Sequence, residues 1–236
     1  MVNCELCPMH SKQAMTHLKD KVALVTGAGR GTGRAIALAL GRAGAHVVAI
    51  DVNPDSAQRT ADEINQSGGA ASAQVVDVSN KLAVQTTIYA VLEQHARVDI
   101  LVNAAHVAPV LSQRDASRSM AEGLGSPALR LDEWEWNRVV DVNLKGAFLM
   151  SQTIARAMNE TGGGVILNVV RPVEASPHAA VRAARGGLVG LTTALAAEWA
   201  ASGVRVEMLE AADDPHRAAA EAVQRCRRYG TSSTPG

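Results

Sequence analysis

The amino-acid sequence predicts an α/β fold in which a doubly wound, largely parallel sheet lies between two layers of helices, a three-layer α/β/α single domain. Short β-branched apolar runs alternate with longer Ala- and Leu-rich segments at helical spacing, and the runs are almost continuously apolar. Such strands are typical of a parallel sheet covered on both faces. No internal repeat is visible, which argues against a solenoid. The 236 residues, 47% of them hydrophobic, suffice for one domain with a sizeable core.

The predicted strands and helices alternate along the chain. The strands are predicted at residues 22–26, 47–51, 73–76, 100–103, 165–169 and 204–208. The helices are predicted at residues 34–43, 54–66, 81–95, 133–158 and 179–201. In the first helix Ile36, Leu40 and Ala43 recur on one face, which predicts that this face packs on the sheet.

Composition and charge exclude several classes of partner. The chain carries 23 Lys plus Arg and 23 Asp plus Glu, so it has no general attraction for nucleic acid or anionic lipid. The most apolar long stretch, 186–201, contains Thr192, Thr193 and Glu198 and is too short and polar to span a bilayer. The N-terminus lacks the apolar run of a secretory signal. We expect a soluble cytoplasmic protein with no nucleic-acid and no membrane partner.

Both ends of the chain are predicted to lie outside the folded domain. Residues 1–18 form a polar leader that we expect to be mobile, and residues 229–236 form a Gly-, Ser-, Thr- and Pro-containing tail that we expect to be disordered. The domain then covers residues 19–228. Within it, residues 107–130 contain two prolines, two glycines and several serines and are predicted to form a long loop.

The three cysteines, Cys4, Cys7 and Cys226, are too few for a disulfide framework in a domain of this size, which indicates a reducing compartment. Cys4 and Cys7 lie near His10 in a pattern similar to a metal knuckle. A structural zinc site needs four ligands on a folded scaffold, however, and the leader has none. We predict reactive thiols in a mobile segment and no metal site.

Residues 26–33, T-G-A-G-R-G-T-G, form the strongest motif. They follow a predicted strand directly and open a predicted helix, as the phosphate-binding turn of a Rossmann-type fold does. Glycine lets the backbone turn tightly and approach a diphosphate, and the helix N-terminus offers free N–H groups. We predict a dinucleotide-binding domain in which the loop contributes the cofactor-binding residues Gly27, Arg30, Gly31, Thr32 and Gly33.

Asp51 ends the second predicted strand. A carboxylate at this position accepts hydrogen bonds from both hydroxyls of the adenosine ribose and repels a 2′-phosphate, so it favours NAD over NADP as the cofactor. The alternative is an ordinary aspartate that starts the turn at Asn53 and Pro54. The glycine motif upstream favours the role in cofactor binding.

From residue 19 to about residue 205 the chain resembles a short-chain dehydrogenase/reductase of the compact single-domain type. Residues 26–33 match that family's T-G-x-x-x-G-x-G signature. Residues 103–106, N-A-A-H, resemble its N-N-A-G segment with two positions changed, and residues 141–146, D-V-N-L-K-G, resemble the helix that contains its functional Asn. The resemblance implies that Asp77 and Val78 lie beside the adenine ring.

The same resemblance assigns further site residues. It implies that Asn103 lies at the cofactor, that Asn143 is a catalytic residue, and that Arg185 reaches the nicotinamide ribose. The family's reaction uses a Ser, a Tyr as the proton donor or acceptor, and a Lys four residues after the Tyr. The matching positions here hold Arg171, Val181 and Arg185, so all three side chains are absent from their expected places.

Two further departures affect the reaction. The family's N-x-x-x-P-G turn and substrate-covering flap have no counterpart in residues 207–212, E-M-L-E-A-A, and the connection before the helix at 179–201 is shorter than in the family pattern. His178 lies in that connection and is the only candidate we identify for a surrogate acid. The resemblance also implies a homo-oligomer paired through the two long helices at 133–158 and 179–201.

Two functions remain open at this point. The first is an NAD-binding member of the family in which hydride transfer on alcohols or ketones is weakened or lost, so that the chain serves as a dinucleotide-responsive binding or assembly subunit. The second is an active NAD-dependent oxidoreductase that uses His178 or a partner chain for proton transfer. Both bind NAD, and turnover separates them.

Overall fold

The structure, a computed structural model, describes residues 17–109, 127–129, 131–172, 178–211 and 214–230. The strands are β1 Val22–Thr26, β2 His46–Asp51, β3 Ala70–Val75, β4 Ile100–Asn103, β5 Gly164–Val170 and β6 Val204–Glu210. The helices are α1 Gly31–Arg42, α2 Pro54–Gln66, α3 Lys81–His95, α4 Glu133–Val140, α5 Ala147–Glu160, α6 Ala179–Trp199 and α7 Pro215–Gly230. The described strands form one six-stranded sheet in the order β3-β2-β1-β4-β5-β6.

Each face of the sheet is covered by its own layer of helices. On β1, Ala23 and Val25 face the layer that contains α1, α2 and α7, whereas Val22 and Leu24 face the layer that contains α3, α5 and α6. All residues of β1 are buried. Successive residues of a strand point to opposite faces, so a strand covered on both faces is apolar throughout. The predicted doubly wound, three-layer fold is confirmed.

The strand order changes direction at β1. This strand pairs in parallel with β2 on one side and with β4 on the other. The crevice beyond the carboxyl ends of the strands at such a point is the usual ligand site of an open parallel sheet. The fold therefore brings the segments that follow β1, β2, β4 and β5 to one crevice.

The predicted helix at 133–158 is interrupted. Helix α4 ends at Val140, the segment Asp141–Gly146 is π-helical, and α5 then continues to Glu160. A π-helical turn inserts its extra residue without breaking the run of apolar residues, so their spacing did not predict it. The segment lies beside the crevice and contains Asn143.

The boundaries of the domain differ slightly from the prediction. Leu18 belongs to the fold and not to the leader, because its side chain is buried in the core and its backbone N donates to the Ala43 carbonyl at 3.0 Å. Helix α7 extends to Gly230, past the predicted end at 228. The predictions for Cys4, Cys7 and His10, for most of the loop at 107–130 and for the end of the tail lie outside the described residues.

None of the described helices combines the length with the apolar character that a membrane crossing requires. Nor do the described residues contain a group of three or more His, Cys, Asp or Glu side chains that could hold a metal ion.

Candidate active site

A large cleft of about 1260 Å³ lies at the carboxyl ends of the strands. The structure brings nearly all the predicted site residues together along its wall: Gly27, Arg30, Gly31, Thr32, Gly33, Asp51, Asp77, Val78, Asn143 and Arg185. Asn103 is not among the lining residues. It is buried beneath the cleft, where its amide donates to Asn168 Oδ1 at 2.8 Å and to Ser151 Oγ at 3.0 Å.

The glycine loop is built for close approach. A Cβ on Gly33 would lie 2.3 Å from the Gly27 carbonyl oxygen, and a Cβ on Gly27, whose φ is +65°, would lie 2.8 Å from Ala105 Cα. Gly31 differs, because at φ +55° a Cβ on it would meet no described atom within 4 Å beyond its own neighbours and helix. Gly27 and Gly33 therefore pack directly against protein backbone, whereas Gly31 faces the open cleft.

The N-terminus of α1 follows this open position. Its N-cap residue, Arg30, makes no side-chain capping hydrogen bond, and the first turn carries no acidic side chain. The N–H groups of a first turn then have no partner within the helix and attract an anion. An uncapped helix end beside an open glycine fits the diphosphate of a dinucleotide.

Asp51 is held firmly at the end of β2. Its carboxylate accepts hydrogen bonds from the Gly29 N–H at 2.9 Å and from the Asn53 N–H at 3.0 Å. A Cβ on Gly29 would lie 2.5 Å from Ser56 Cβ and 2.8 Å from Asp51 Oδ2. Gly29 is thus the residue that lets the loop contact Asp51, and sequence reasoning missed it because the family signature leaves this position unspecified.

Asp77 and Val78 lie on the same side of the cleft, after β3. The Asp77 carboxylate accepts from the Ser79 N–H at 2.9 Å and from the Ser79 hydroxyl at 2.7 Å. Val78 is buried against the π-helical segment, where a Cβ on Gly146 would approach its Cγ2 to 2.7 Å. This contact fixes the wall of the cleft between β3 and the π-helical segment.

Asn143 uses both ends of its amide on the segment that follows β4. Its Oδ1 accepts from the Val107 N–H at 2.8 Å, and its Nδ2 donates to the Val107 carbonyl at 2.8 Å. The side chain is buried. In this arrangement Asn143 holds the backbone of Val107 in place beside the cleft, and both ends of its side-chain amide are hydrogen-bonded to that residue.

The three positions expected to carry the reaction hold different chemistry. Val181 lines the cleft but packs in an apolar cluster with Val139, Ala180 and Ala184. Arg185 Nε donates to the Arg171 carbonyl at 2.7 Å, and Arg185 Nη2 lies 3.6 Å from Glu210 Oε1. Within the described residues the Arg171 guanidinium is exposed and makes no hydrogen bond or ion pair.

Two imidazoles also line the cleft, those of His106 and His178. Burial, together with the positive charges of Arg171 and then Arg30, lowers the pKa of His106 to about 4. His106 is therefore neutral at pH 7, with one ring N–H to donate and one ring nitrogen to accept. Sequence reasoning did not select His106. The signal was its place at the end of the N-A-A-H segment, where the N-N-A-G pattern of the resembled family has glycine.

The charge state of His106 gives a direct check of this geometry. In a histidine-labelled NMR titration we expect the His106 signal, assigned with His106→Asn, to titrate near pH 4, below the usual value of about 6.5. Arg171→Gln should raise this midpoint, because it removes a positive charge that opposes protonation. Arg156→Gln removes an exposed arginine outside the cleft and should leave the midpoint unchanged. A midpoint near 6.5 in the unmodified chain would contradict the burial of His106.

Comparison with known proteins agrees with the motifs. The model of the short chain dehydrogenase family matches residues 21–212. The D-threitol dehydrogenase of Mycolicibacterium smegmatis is 37% identical over 195 residues, which are 81% of this chain and 69% of that protein. The NAD-dependent glycerol dehydrogenase of Listeria innocua is 33% identical over 196 residues, which are 82% of this chain and 70% of that protein.

Solved structures agree as well. The crystal structure of a metagenomic short-chain oxidoreductase in complex with NADP has a TM-score of 0.80 and 30% identity to this chain, covering 92% of this chain and 95% of that one. The matched residues include the glycine loop, the strand that ends in Asp51 and the π-helical segment with Asn143. This chain is therefore a member of the short-chain dehydrogenase/reductase family of oxidoreductases.

Proposed function

We propose that this protein binds NAD and that its hydride transfer on alcohols or ketones is weakened or lost, so that it acts as a dinucleotide-responsive binding or assembly subunit. One contrast carries the proposal. The residues around the glycine loop and Asp51 retain the chemistry of a cofactor site, whereas the position expected to transfer the proton holds Val181. A valine has no proton to give or take.

The adenosine side of the cleft fits NAD. The open glycine Gly31 and the first turn of α1 would hold the diphosphate, and Asp51 would accept hydrogen bonds from the ribose hydroxyls. A carboxylate has about four lone-pair sites, and the two backbone N–H groups leave some of them free. Asp77 and Val78 would flank the adenine. Bound NAD supplies the hydride acceptor.

On the other side of the cleft, the residue at the position expected to move the proton that accompanies the hydride is Val181, which cannot do so. Val181 is almost completely buried in its apolar cluster. Arg185 retains a positive charge, and we propose that it still reaches the nicotinamide ribose, but its guanidinium also binds the Arg171 carbonyl. Loss of general acid–base assistance costs roughly 10²–10⁴-fold in rate.

A second candidate function rests on the imidazoles of the cleft. His178 precedes α6 and lines the cleft together with His106. An imidazole within reach of a substrate oxygen would replace the missing hydroxyl. In this alternative the protein is an active NAD-dependent oxidoreductase that uses His178, or a group from a partner chain, for proton transfer.

The choice between NAD and NADP is the first test. We expect tryptophan fluorescence, to which Trp134 in the cleft wall contributes, to report NADH binding at least about tenfold tighter than NADPH binding. The Asp51 carboxylate repels the 2′-phosphate, so Asp51→Ser should remove this preference. Asp55→Ser, an exposed aspartate outside the cleft, should preserve it. Tighter binding of NADPH by the unmodified chain would overturn the assignment of NAD.

We also propose that the chain forms a homo-oligomer through α4, α5 and α6. Helix α6 presents an exposed stripe of small residues, Ala183, Gly186, Gly190, Ala194 and Ala197, which permits close helix packing. Light scattering at micromolar concentration should give a dimer or a larger assembly, and Gly190→Arg should reduce it to the monomer. A monomeric unmodified chain would contradict the proposal.

The zero net charge and few cysteines support a cytoplasmic protein without nucleic-acid or membrane partners.

A further inference from the structure

The charges of the cleft are divided between its two sides. On the side of β2 and β3 the ends of the strands present Asp51 and Asp77. On the side of β5 and α6 the described wall carries four arginines and one aspartate: Arg138, Arg171, Arg182, Arg185 and Asp141. The family's own side chains at two of these positions are a neutral Ser and a Lys. Arg171 in place of Ser therefore adds one positive charge where the second ligand would lie, whereas Arg185 in place of Lys keeps the charge that the family already has there.

Among the described residues, Asp141 and Glu210 are acidic groups close to these arginines. Asp141 lies 2.7 Å from Lys145 Nζ, and Glu210 lies 3.6 Å from Arg185 Nη2 and is largely exposed. The Arg171 guanidinium has no hydrogen-bond partner or counter-charge among the described residues. An arginine beside a cleft, without an acidic partner, is a ready donor to an incoming anion.

We propose that the cleft between β5 and α6 binds an anionic group, a carboxylate or a phosphate monoester, of the protein's second ligand, with Arg171 and Arg185 as its principal donors. The inference rests on the proposed function in one respect, since the anion would share the cleft with NAD. It names a chemical class, an anion, for the second ligand that the proposed function leaves unspecified.

The geometry supports a paired site. The hydrogen bond from Arg185 Nε to the Arg171 carbonyl ties the end of β5 to α6, so the two guanidinium groups are attached to backbone that is held together. A guanidinium presents its N–H groups as a planar fork that matches a carboxylate or a phosphate. His106 lies near Arg171 and, as a neutral imidazole, adds a donor without requiring a further counter-charge.

The inference is tested on the full chain by calorimetric titration, with and without saturating NADH, in a buffer free of phosphate and carboxylates. The probes are propionate, its neutral isostere propionamide, and methyl phosphate. Saturating NADH occupies the glycine loop, so that binding of a probe in its presence reports the other side of the cleft. A preference for propionate or for methyl phosphate identifies which of the two anions the site takes.

We expect an anion to bind at least about tenfold more tightly than propionamide, and Arg171→Gln to weaken the anion about fivefold or more. Arg156→Gln makes the same charge change on the exposed face of α5 and should have less than about a twofold effect. Equal affinity for propionate and propionamide would overturn the inference. An equal loss in Arg156→Gln would also overturn it, because the effect would then be one of general surface charge.

NADH titrations of the same samples separate this inference from the proposed function. Anion binding that depends on Arg171 in a chain that does not bind NADH would support the anion site and overturn the assignment of NAD. NADH binding without any anion binding would overturn the anion site and leave the proposed cofactor supported. In either case the NADH affinity of Arg156→Gln should stay within about twofold of the unmodified chain, since Arg156 is exposed and lies outside the cleft.

Discussion

A chain that carries Arg171→Ser, Val181→Tyr and Arg185→Lys together is expected to reduce ketones with NADH at least about 100-fold faster than the unmodified chain. Val181 lines the cleft, so a tyrosine there can direct its hydroxyl away from the apolar cluster of Val139, Ala180 and Ala184. A lysine ammonium beside the tyrosine lowers its pKa and makes it a better proton carrier. The measurement is the NADH-dependent turnover number over a panel of small ketones.

The matched control replaces the same three residues but places Phe in place of Val181. This variant makes nearly the same change of volume without a hydroxyl, so it should gain no activity and should bind NADH as tightly as the tyrosine variant does. Turnover by the unmodified chain that His178→Ala abolishes would instead establish the second candidate function. Equal activities of the tyrosine and phenylalanine variants would show that proton transfer at this position is not what limits the reaction.

Gly31→Ala is expected to weaken NADH binding at least about 100-fold with a loss of stability of only about 1–2 kcal/mol. A Cβ at Gly31 would point into space that no described protein atom occupies within 4 Å, the same space that a diphosphate at the start of α1 would fill. The stability loss reflects the left-handed backbone, where φ is +55°. The measurements are NADH titration and denaturant unfolding.

Gly68→Ala is the control for backbone strain. Gly68 also has a positive φ, +82°, and a Cβ there would likewise meet nothing within 4 Å, but Gly68 lies outside the cleft. It should lose a similar amount of stability and keep its NADH affinity. An unchanged NADH affinity in Gly31→Ala would mean that the diphosphate does not lie at this loop.

The fold could be predicted because its signals are local. The five residues of β1 are buried, the first four of them, Val22 to Val25, form a continuous apolar run, and the glycine loop follows the strand at once in the chain. Asp51 ends β2 next to that loop, so strand order alone places it in the cleft. Both features can be recognised in the sequence without any knowledge of tertiary contacts.

The features of the site that could not be predicted depend on contacts between residues that are distant in the chain. The role of Gly29 follows from Ser56 and Asp51 packing against it, and the neutral state of His106 follows from burial beside Arg171 and Arg30. The spacing of residues along the sequence predicts neither the packing around Gly29 nor the burial of His106. The resemblance implies that Asn103 lies at the cofactor, but its side-chain amide donates a hydrogen bond to Asn168 and lies beneath the cleft.

Single-turnover oxidation of bound NADH tests the central claim most directly. The protein is held in excess over NADH, binding is verified by fluorescence, and the absorbance of the reduced nicotinamide is followed after a saturating ketone is added. We predict that NADH is bound and that its absorbance persists for minutes to hours. Oxidation of the bound NADH at rates near the roughly 10 s⁻¹ common among enzymes would contradict the claim that proton transfer has been lost.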